Sequence, residues 1–239
     1  MLLSVIVPAY NEEKSLEEVL KRVFNVPILK EVIVVNDASR DATAEILKKV
    51  EGYANTQKDK FPFLKEIKAI NKEINQGKGA AIRTGLKEVS GDIVLIQDAD
   101  LEINPEEYPK LLEPFEKYGA DVVFGSRFRI EGACRAQNFW HYQINNFLTI
   151  FSNMLSGLRL TDMETCYKVF KKEIILSFNL KSNRFGIEPE FVAKTAKLDL
   201  VVYEVPISYN SRTKKQGKKI RPKDGLYAIA AIIWYNLFD

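Results

Sequence analysis

The stretch Asp92-Ile93-Val94-Leu95-Ile96-Gln97-Asp98-Ala99-Asp100-Leu101-Glu102 decides how the rest of the chain is read. Its first half is apolar without interruption from Ile93 to Ile96. A short run of this kind, with no polar face, fits a strand covered on both sides. Its second half turns acidic at once. Helical patterns flank it, Gly79–Val89 before and Pro105–Tyr118 after, and Pro105 suits a first helical position. Working outward, the alternation repeats. Ser4–Val7, Glu31–Val35, Lys65–Ile70 and Asp121–Phe124 read as strands, and Glu12–Phe24 and Asp41–Val50 as helices. In Glu12–Phe24 the apolar residues Leu16, Val19, Leu20, Val23 and Phe24 follow the i, i+3, i+4, i+7, i+8 spacing of one helix face. Strand–helix repetition predicts an α/β domain with a mostly parallel central sheet flanked by helices. Glu51–Pro62 reads as a surface loop, and no internal repeat or sharp linker interrupts the chain.

Composition narrows the chemistry. With 239 residues, 46% apolar and 28% charged, the chain is long enough for one large domain and ordinary for a globular protein. Its two cysteines, Cys134 and Cys166, are not in a C-x-x-C, and His141 is the only histidine. Zinc sites and Cys-His or Ser-His catalytic pairs are therefore not expected, and the cysteines read as reduced thiols. The N-terminal MLLSVIVPAY has no basic region and breaks at Pro8, which marks a first strand rather than a signal peptide. No run reaches the 18 or so apolar residues of a spanning helix. The expectation is a protein that does not cross a membrane but is able to lie on one.

The second half is less regular. Asn138–Leu158 is rich in large apolar residues punctuated by polar ones, so it reads as one or two amphipathic helices. The simpler expectation is that their apolar face packs on the core; the alternative is that it sinks into a membrane interface. Asp224–Phe238 is a second apolar-aromatic helix candidate. Before it, Arg212–Lys223 carries seven cations and no acid, although net charge is only +3. Such a run is a solvated loop or a contact for phosphates or an anionic membrane. Without interleaved aromatics or a binding module, nucleic acid is not an expected partner.

Open α/β sheets bind ligands at the carboxyl ends of their strands. Each strand here ends in a polar cluster. Asp98-x-Asp100 places two carboxylates where they are able to face one side. Hard oxygen donors suit Mg²⁺ or Mn²⁺, which grips a diphosphate and neutralises charge on a departing nucleoside diphosphate. Glu102, two residues on, is a possible third ligand. Asp37 ends the second strand, where an acid accepts from a base or ribose; Ser39 or Asp41 is left to cap the next helix. Gly77-Lys78-Gly79 opens a helix, so free amides and a lysine form an anion site. Neither G-x-x-x-x-G-K-[ST] nor G-x-G-x-x-G occurs, which sets aside Walker ATPases and nicotinamide dehydrogenases. Arg127, after the fifth strand, and Arg212 are each suited to clamp a phosphate.

Taken in order, these clusters resemble the family 2 glycosyltransferases of GT-A fold, and most closely the dolichyl- and polyprenyl-phosphate sugar synthases. The resembling segments are VIVPAYNE (5–12), VVNDASRD (34–41), NQGKGAA (75–81), IQDADLE (96–102), GSR (125–127), TDMETCYKVF (161–170), FGIEPEF (185–191) and VPISY…R (205–212). The resemblance implies a Rossmann-like GT-A sheet in a single domain over 1–239. Residues 1–127 would form a nucleotide-sugar half and 128–239 an acceptor half. It implies inverting transfer of a mannose or glucose from a GDP- or UDP-sugar to a polyprenyl phosphate. By that analogy Pro8, Tyr10, Glu12 and Asp37 hold the nucleotide, with Lys78 beside them. Asp98, Asp100 and Glu102 hold Mg²⁺ or Mn²⁺, and Arg127 and Arg212 grip the acceptor phosphate. The helices of Asn138–Leu158 meet the cytoplasmic face of a membrane peripherally. Many of these synthases read D-x-x-S/T-G-F where this chain has Asp162-Met163-Glu164-Thr165-Cys166-Tyr167, so only Asp162 aligns cleanly. The E-D pair that serves as base toward sugar acceptors is absent, which fits a phosphate acceptor that is already nucleophilic. Alternatives are a family 2 enzyme acting on a saccharide or another lipid, a sugar-1-phosphate nucleotidyltransferase, or a non-catalytic binding module.

Overall fold

The computed structural model describes residues 1–131, 135–136, 138–211 and 222–239. Strands β1 (Leu3–Ala9), β2 (Lys30–Asn36), β3 (Leu64–Asn71), β4 (Ile93–Ile96) and β5 (Val122–Ser126) alternate with helices. These are α1 (Leu16–Asn25), α2 (Thr43–Thr56), α3 (Lys78–Leu86) and α4 (Tyr108–Lys117). The second half adds α5 (Phe139–Ser156), β6 (Lys168–Lys171), α6 (Lys172–Ser177), α7 (Ile187–Ala196), β7 (Val202–Pro206) and α8 (Pro222–Leu237). Among the described residues the seven strands form one sheet in the order β3-β2-β1-β4-β6-β5-β7. Only β6 runs against its neighbours β4 and β5; every other pairing is parallel. Strands from both sides of residue 127 belong to this one sheet.

The chain steps from β1 outward to β2 and β3, then returns to place β4 against the other side of β1. The reversal opens a crevice at the carboxyl ends of β1 and β4, where such sheets bind ligands. The register of Ile6 with Ile96, extended by Gln97 N–H donating to the Ile6 carbonyl at 2.9 Å, brings the Pro8–Glu12 and Gln97–Glu102 segments side by side.

Both sheet faces are covered, which explains the unbroken apolar strands. Val5, Val7, Val32 and Val34 pack under α1, α2 and α4 with Leu20, Leu47 and Leu111. Ile6, Ile33 and Val35 pack on the other face with Ile82, Leu148, Ile187, Phe191 and Ile232. Helix α1 buries the five residues its spacing singles out and ends before Pro27. Lys30, fully buried at the start of β2, donates to the carbonyls of Val26 and Ile28 at 2.7 and 2.9 Å. Burial pushes its pKa down to about 8.

Two expectations are corrected. Glu51–Pro62 is not a loop: α2 continues to Thr56 and a 3₁₀ turn spans Lys58–Lys60. Val50 and Ala54, one helical turn apart, are both buried, and the Glu51 carboxylate accepts from the Ala69 amide at 2.8 Å. That packing outweighs the cost of Gly52 inside the helix.

The second correction concerns α5. It is one helix, and only part of its apolar set faces the core: Leu148 is buried there with Phe151 and Leu155 packed alongside, while the rest turns outward. Asn145, Thr149 and Ser152 are its buried residues, together with Leu148. Trp140 is 72% exposed, Phe147 58% and Met154 75%. The polar face turns inward because it has partners there. Thr149 Oγ1 accepts from the Met163 amide at 3.1 Å, and the Asn153 side chain bonds both the amide and the carbonyl of Leu160. Helix α8, which packs on α5, likewise exposes Leu226, Tyr227 and Trp234.

Candidate active site

The crevice is assembled from loops that hold one another. Asn11 adopts a left-handed conformation (φ 53°); its amide donates to Ser39 Oγ at 2.9 Å and its side chain accepts from the Arg40 amide at 2.8 Å. Ala38 is also left-handed, at φ 57°. This conformation is unusual for a side chain with a Cβ, and such backbone is held in place only by its surroundings. Asp41 accepts from the Thr43 amide at 3.0 Å, so it takes the helix-entry role. Pro8, Tyr10 and Glu12 stand half-buried at the rim. The Ser15 hydroxyl lies 2.7 Å from the Glu12 carboxylate and 2.9 Å from the Ala99 carbonyl, its single proton shared between the two acceptors. The ends of β1 and β4 are thereby tied together.

Asp37 is 2% exposed, and its carboxylate faces its own protein. It accepts from Lys72 Nζ at 2.5 Å, Asn75 Nδ2 at 2.9 Å, the Gln76 amide and the Gly77 amide at 2.6 Å. The residue expected to meet a base or ribose thus fixes the loop that enters α3. Gly77 within that loop has φ 101°, and a Cβ there would come within 2.5 Å of the Asn183 carbonyl. Only glycine fits.

That loop delivers Lys78. Its ammonium lies 2.7 Å from Asp98 Oδ1 and 2.9 Å from Glu188 Oε1. Burial works against the lysine's charge, but Asp98 and Glu188 outweigh it and hold the pKa well above normal. Burial likewise pushes the Asp98 carboxyl up, and Lys78 with the Cys166 thiol brings it below its usual value. Both members are therefore charged at neutral pH. Sequence reasoning gave Lys78 a phosphate; the structure gives it two carboxylates, and Glu188 was not singled out. The signal was present in the IEPE segment opening α7, since acids at a helix start are stabilised by its dipole. Cys166 sits against Asp98, and burial, then Asp98, push its thiol far up.

Gln97, fully buried, accepts from the hydroxyls of Tyr108 and Tyr167 at 2.8 and 2.9 Å. Its own amide donates to the Asp98 carbonyl at 2.9 Å, so the acidic turn starts from a fixed point. Asp100 Oδ1 accepts from the Glu102 amide at 3.0 Å. Glu102 turns toward Tyr209, whose hydroxyl donates to its carboxylate at 3.1 Å. Among the described residues, no three acidic, histidine or cysteine side chains converge as a metal cage. What the strand end offers is two hard oxygen donors, Asp98 and Asp100, both close enough to Cys166 to raise its thiol. Mg²⁺ is commonly held by one or two carboxylates plus substrate phosphates. The pair fits a cation that arrives with a diphosphate; it does not amount to a resident three-carboxylate site.

Arg127 is 7% exposed, and its guanidinium grips Asp162 in a fork, Nε to Oδ2 and a terminal nitrogen to Oδ1, each at 2.7 Å. Its own amide also donates to Asp162 at 3.0 Å. Burial opposes the charge and Asp162 outweighs it, so the pKa is raised. The fork expected on a phosphate is already engaged. Beside it lies an open cavity lined by Lys110, Arg127, Arg129, Arg135 and Tyr209 together with Glu107 and Glu131. Arg129 and Arg135 were not read from the sequence, where they sit singly in an irregular stretch. Arg212 and the rest of the basic run to Arg221 lie outside the described residues, as does Cys134.

A mostly parallel sheet with paired carboxylates at its switch point and helices on both faces defines the GT-A class of glycosyltransferases. The chain belongs to glycosyl transferase family 2, whose profile matches residues 4–176. It is similar to a dolichol-phosphate mannosyltransferase of Pyrococcus furiosus, with 32% identity over 91% of this chain and 59% of that protein. It is also similar to the UDP-N-acetylglucosamine–dolichyl-phosphate N-acetylglucosaminyltransferase of Methanococcus voltae, with 30% identity over 86% of this chain and 84% of that one. Glucosyl-3-phosphoglycerate synthase of Mycobacterium tuberculosis, crystallised with Mn²⁺, UDP and glucosyl-3-phosphoglycerate, shares the fold. Its TM-score is 0.68 at 19% identity, over 98% of this chain and 79% of that one. The chain spans less than two thirds of the length of the archaeal mannosyltransferase.

Proposed function

We propose that this glycosyltransferase moves a hexose, mannose or glucose, from a GDP- or UDP-sugar to a polyprenyl phosphate, lying peripherally on the cytoplasmic face of a membrane. The observation that carries the acceptor class is the outward apolar face of α5. Tyr142 of that helix packs edge-on against Phe128 at 5.0 Å, next to Arg127 and the cation-lined cavity. A lipid phosphate needs such an arrangement: cations for the head and an apolar surface beside them for the tail. The names of the similar proteins, which act on dolichyl phosphate, support the same class. Family membership sets aside the nucleotidyltransferase reading.

In this reading Pro8, Tyr10 and Glu12 line the nucleotide, with Asp37 acting through the Asn75–Gly77 loop. Asp98 and Asp100 face the diphosphate, with Glu102 beside them. A divalent cation bound there supplies charge neutralisation for the leaving group. An acceptor phosphate oxygen forms the new bond to the anomeric carbon as the bond to the diphosphate breaks, and the electron pair leaves on the nucleoside diphosphate. No side chain has to remove a proton, because the phosphate is already anionic. Arg129 and Arg135 are assigned to the acceptor phosphate together with Arg212, with Arg127, held by Asp162, contributing its charge to the wall of the same cavity. The nucleotide-sugar half is assigned to 1–127 and the acceptor half to 128–239.

No helix among the described residues is long and apolar enough to cross a membrane. In the proposed reading the α5 and α8 surface carries the contact with the bilayer. A Trp140→Glu, Phe147→Glu, Trp234→Glu triple variant is expected to lose co-sedimentation with vesicles of anionic phospholipid by about 100-fold or more, since each ring buries ~1.5–3 kcal/mol of apolar surface. Its thermal stability should barely change, because all three side chains are more than half exposed. Undiminished vesicle binding removes the surface from the account.

A further inference from the structure

The acidic turn rests on three buried polar side chains whose hydrogen bonds admit one arrangement. Gln97, Tyr108 and Tyr167 are all fully buried. The side-chain nitrogen of Gln97 lies 2.9 Å from the Asp98 carbonyl, and its side-chain oxygen lies 2.8 Å from the Tyr108 hydroxyl and 2.9 Å from that of Tyr167. A main-chain carbonyl only accepts, so the Gln97 side chain has to turn its nitrogen toward Asp98. Its oxygen then faces the two phenols, and both hydroxyls donate to it. The two tyrosine rings meet edge to face, with centroids 5.9 Å apart, which holds them against each other. On the main chain, the Gln97 amide donates to the Ile6 carbonyl at 2.9 Å. Both sides of the Gln97–Asp98 step are therefore fixed.

Packing does not call for such a group. A methionine and two phenylalanines would fill about the same space with no hydrogen bond to satisfy. What the polar set adds is a hold on the main chain at Asp98. The same residues also reach the other half of the site. The Tyr167 carbonyl accepts from the Gly125 amide at 2.9 Å, two residues before Arg127. Tyr108 follows Glu107, whose carboxylate accepts from the Ser208 amide at 2.9 Å. Glu107, Arg127 and Ser208 all line the cation-lined cavity. One buried side-chain amide thus connects the turn bearing Asp98 and Asp100 with two walls of that cavity.

We propose that Gln97, Tyr108 and Tyr167 are positioning residues of the transfer reaction: they hold the Asp98–Glu102 turn at a set distance from the cation-lined cavity and so fix the line along which the acceptor meets the anomeric carbon. The assignment rests on the reading above, in which the turn faces the donor diphosphate and the cavity takes the acceptor phosphate. A misplacement of about 1 Å at such a point costs about 10²-fold in rate.

The test compares Gln97→Met with the triple variant Gln97→Met/Tyr108→Phe/Tyr167→Phe. The single variant strands two buried hydroxyls and should unfold at a lower temperature. The triple variant removes every polar partner, so its Tm should return to within about 4 °C of the unaltered protein. A triad that only stabilised the core would regain activity with stability. A triad that positions the turn leaves kcat at least about tenfold down, with donor KM within about threefold, in assays with GDP-mannose or UDP-glucose, Mg²⁺ and a short polyprenyl phosphate. Hydrogen exchange read by mass spectrometry, without metal or substrate, is the second readout. Amides of Asp98–Glu102 should exchange about tenfold faster in the triple variant, while those of β1 and β2 are unchanged. Turnover restored along with stability, or unaltered exchange across the turn, overturns the assignment. Tyr167→Phe, which removes one hydroxyl and little else, serves if the triple variant does not fold: kcat about threefold lower at unchanged donor KM is expected, and an unchanged kcat overturns it. Asp100→Ala is assayed alongside. Its full activity overturns the donor reading and the triad's part in transfer with it, whereas its loss beside a fully active triple variant overturns the triad alone. Should the unaltered protein form no product from either donor, the substrate reading falls and the exchange measurement decides the hold on the turn.

Discussion

Asp100→Ala should lower turnover at least ~10²–10³-fold with either Mg²⁺ or Mn²⁺, the loss that follows when one preorganised element of leaving-group stabilisation is removed. Asp100 is 8% exposed at the carboxyl end of β4, where its Oδ1 accepts from the Glu102 amide. Asp98 is already neutralised by Lys78 at 2.7 Å, and Glu102 turns to Tyr209. In the proposed reading Asp98 and Asp100 together meet the metal–diphosphate complex, and Asp100→Ala removes one of the two carboxylates. Asp100→Asn keeps the shape and an acceptor for the Glu102 amide, so it separates loss of charge from loss of the turn. The measurement is steady-state turnover of the preferred donor beside thermal unfolding. Full activity of Asp100→Ala removes the carboxylate from the chemistry.

The second large effect is on stability. Asp162 is fully buried and receives both nitrogens of the Arg127 fork. Asp162→Ala leaves a guanidinium in the interior with its partner gone, which costs about 3–5 kcal/mol. For a chain of this size that corresponds to a fall in Tm of roughly 10 °C. Asp162→Asn retains an acceptor and should lose less. The double variant Asp162→Leu/Arg127→Met removes both charges and should recover part of the loss, because the penalty lies in the unpaired charge rather than in the absence of the pair. Thermal unfolding of the three variants checks this. Equal stability of Asp162→Ala and the unaltered protein would mean that the fork carries no weight.

Local pattern carried the first half of the fold into view. An uninterrupted apolar run such as Ile93–Ile96 has few alternatives to a doubly covered strand, and Leu16–Phe24 has one apolar face. The α2 helix was cut short because Glu51 and Gly52 look like loop residues until Ala69 and the neighbouring strand supply contacts that no local window contains. The strands β6 and β7 were not read for a related reason. Lys168 and Glu204 lie inside them, and their burial depends on Phe124 for the first and on Thr161 and Asp162 for the second, which come from elsewhere in the chain. The orientation of α5 is the sharpest case. Composition alone favours the whole apolar set turned inward, and only the hydrogen bonds of Thr149 and Asn153 to residues 160–163 show why polar residues are buried beside Leu148 while Trp140, Phe147 and Met154 are left outside.

The site was legible as a set of strand ends and not as a set of pairings. Asp98, Lys78, Asp37 and Arg127 were picked out because of where they stand after strands. That Asp37 would be spent on the Asn75–Gly77 loop, Lys78 on Glu188 and Arg127 on Asp162 depends on contacts between residues up to about a hundred positions apart. Charge counting cannot supply those. The same limit hid Arg129 and Arg135, which acquire meaning only beside Arg127 in one cavity.

The most direct measurement of the account is a transfer assay with radiolabelled GDP-mannose and UDP-glucose, a short polyprenyl phosphate and Mg²⁺. The account predicts labelled hexose in the lipid phase from one of the two donors, with product lost in Asp100→Ala. Absence of labelled lipid from either donor, in a protein that is folded and supplied with Mg²⁺ or Mn²⁺, would contradict it.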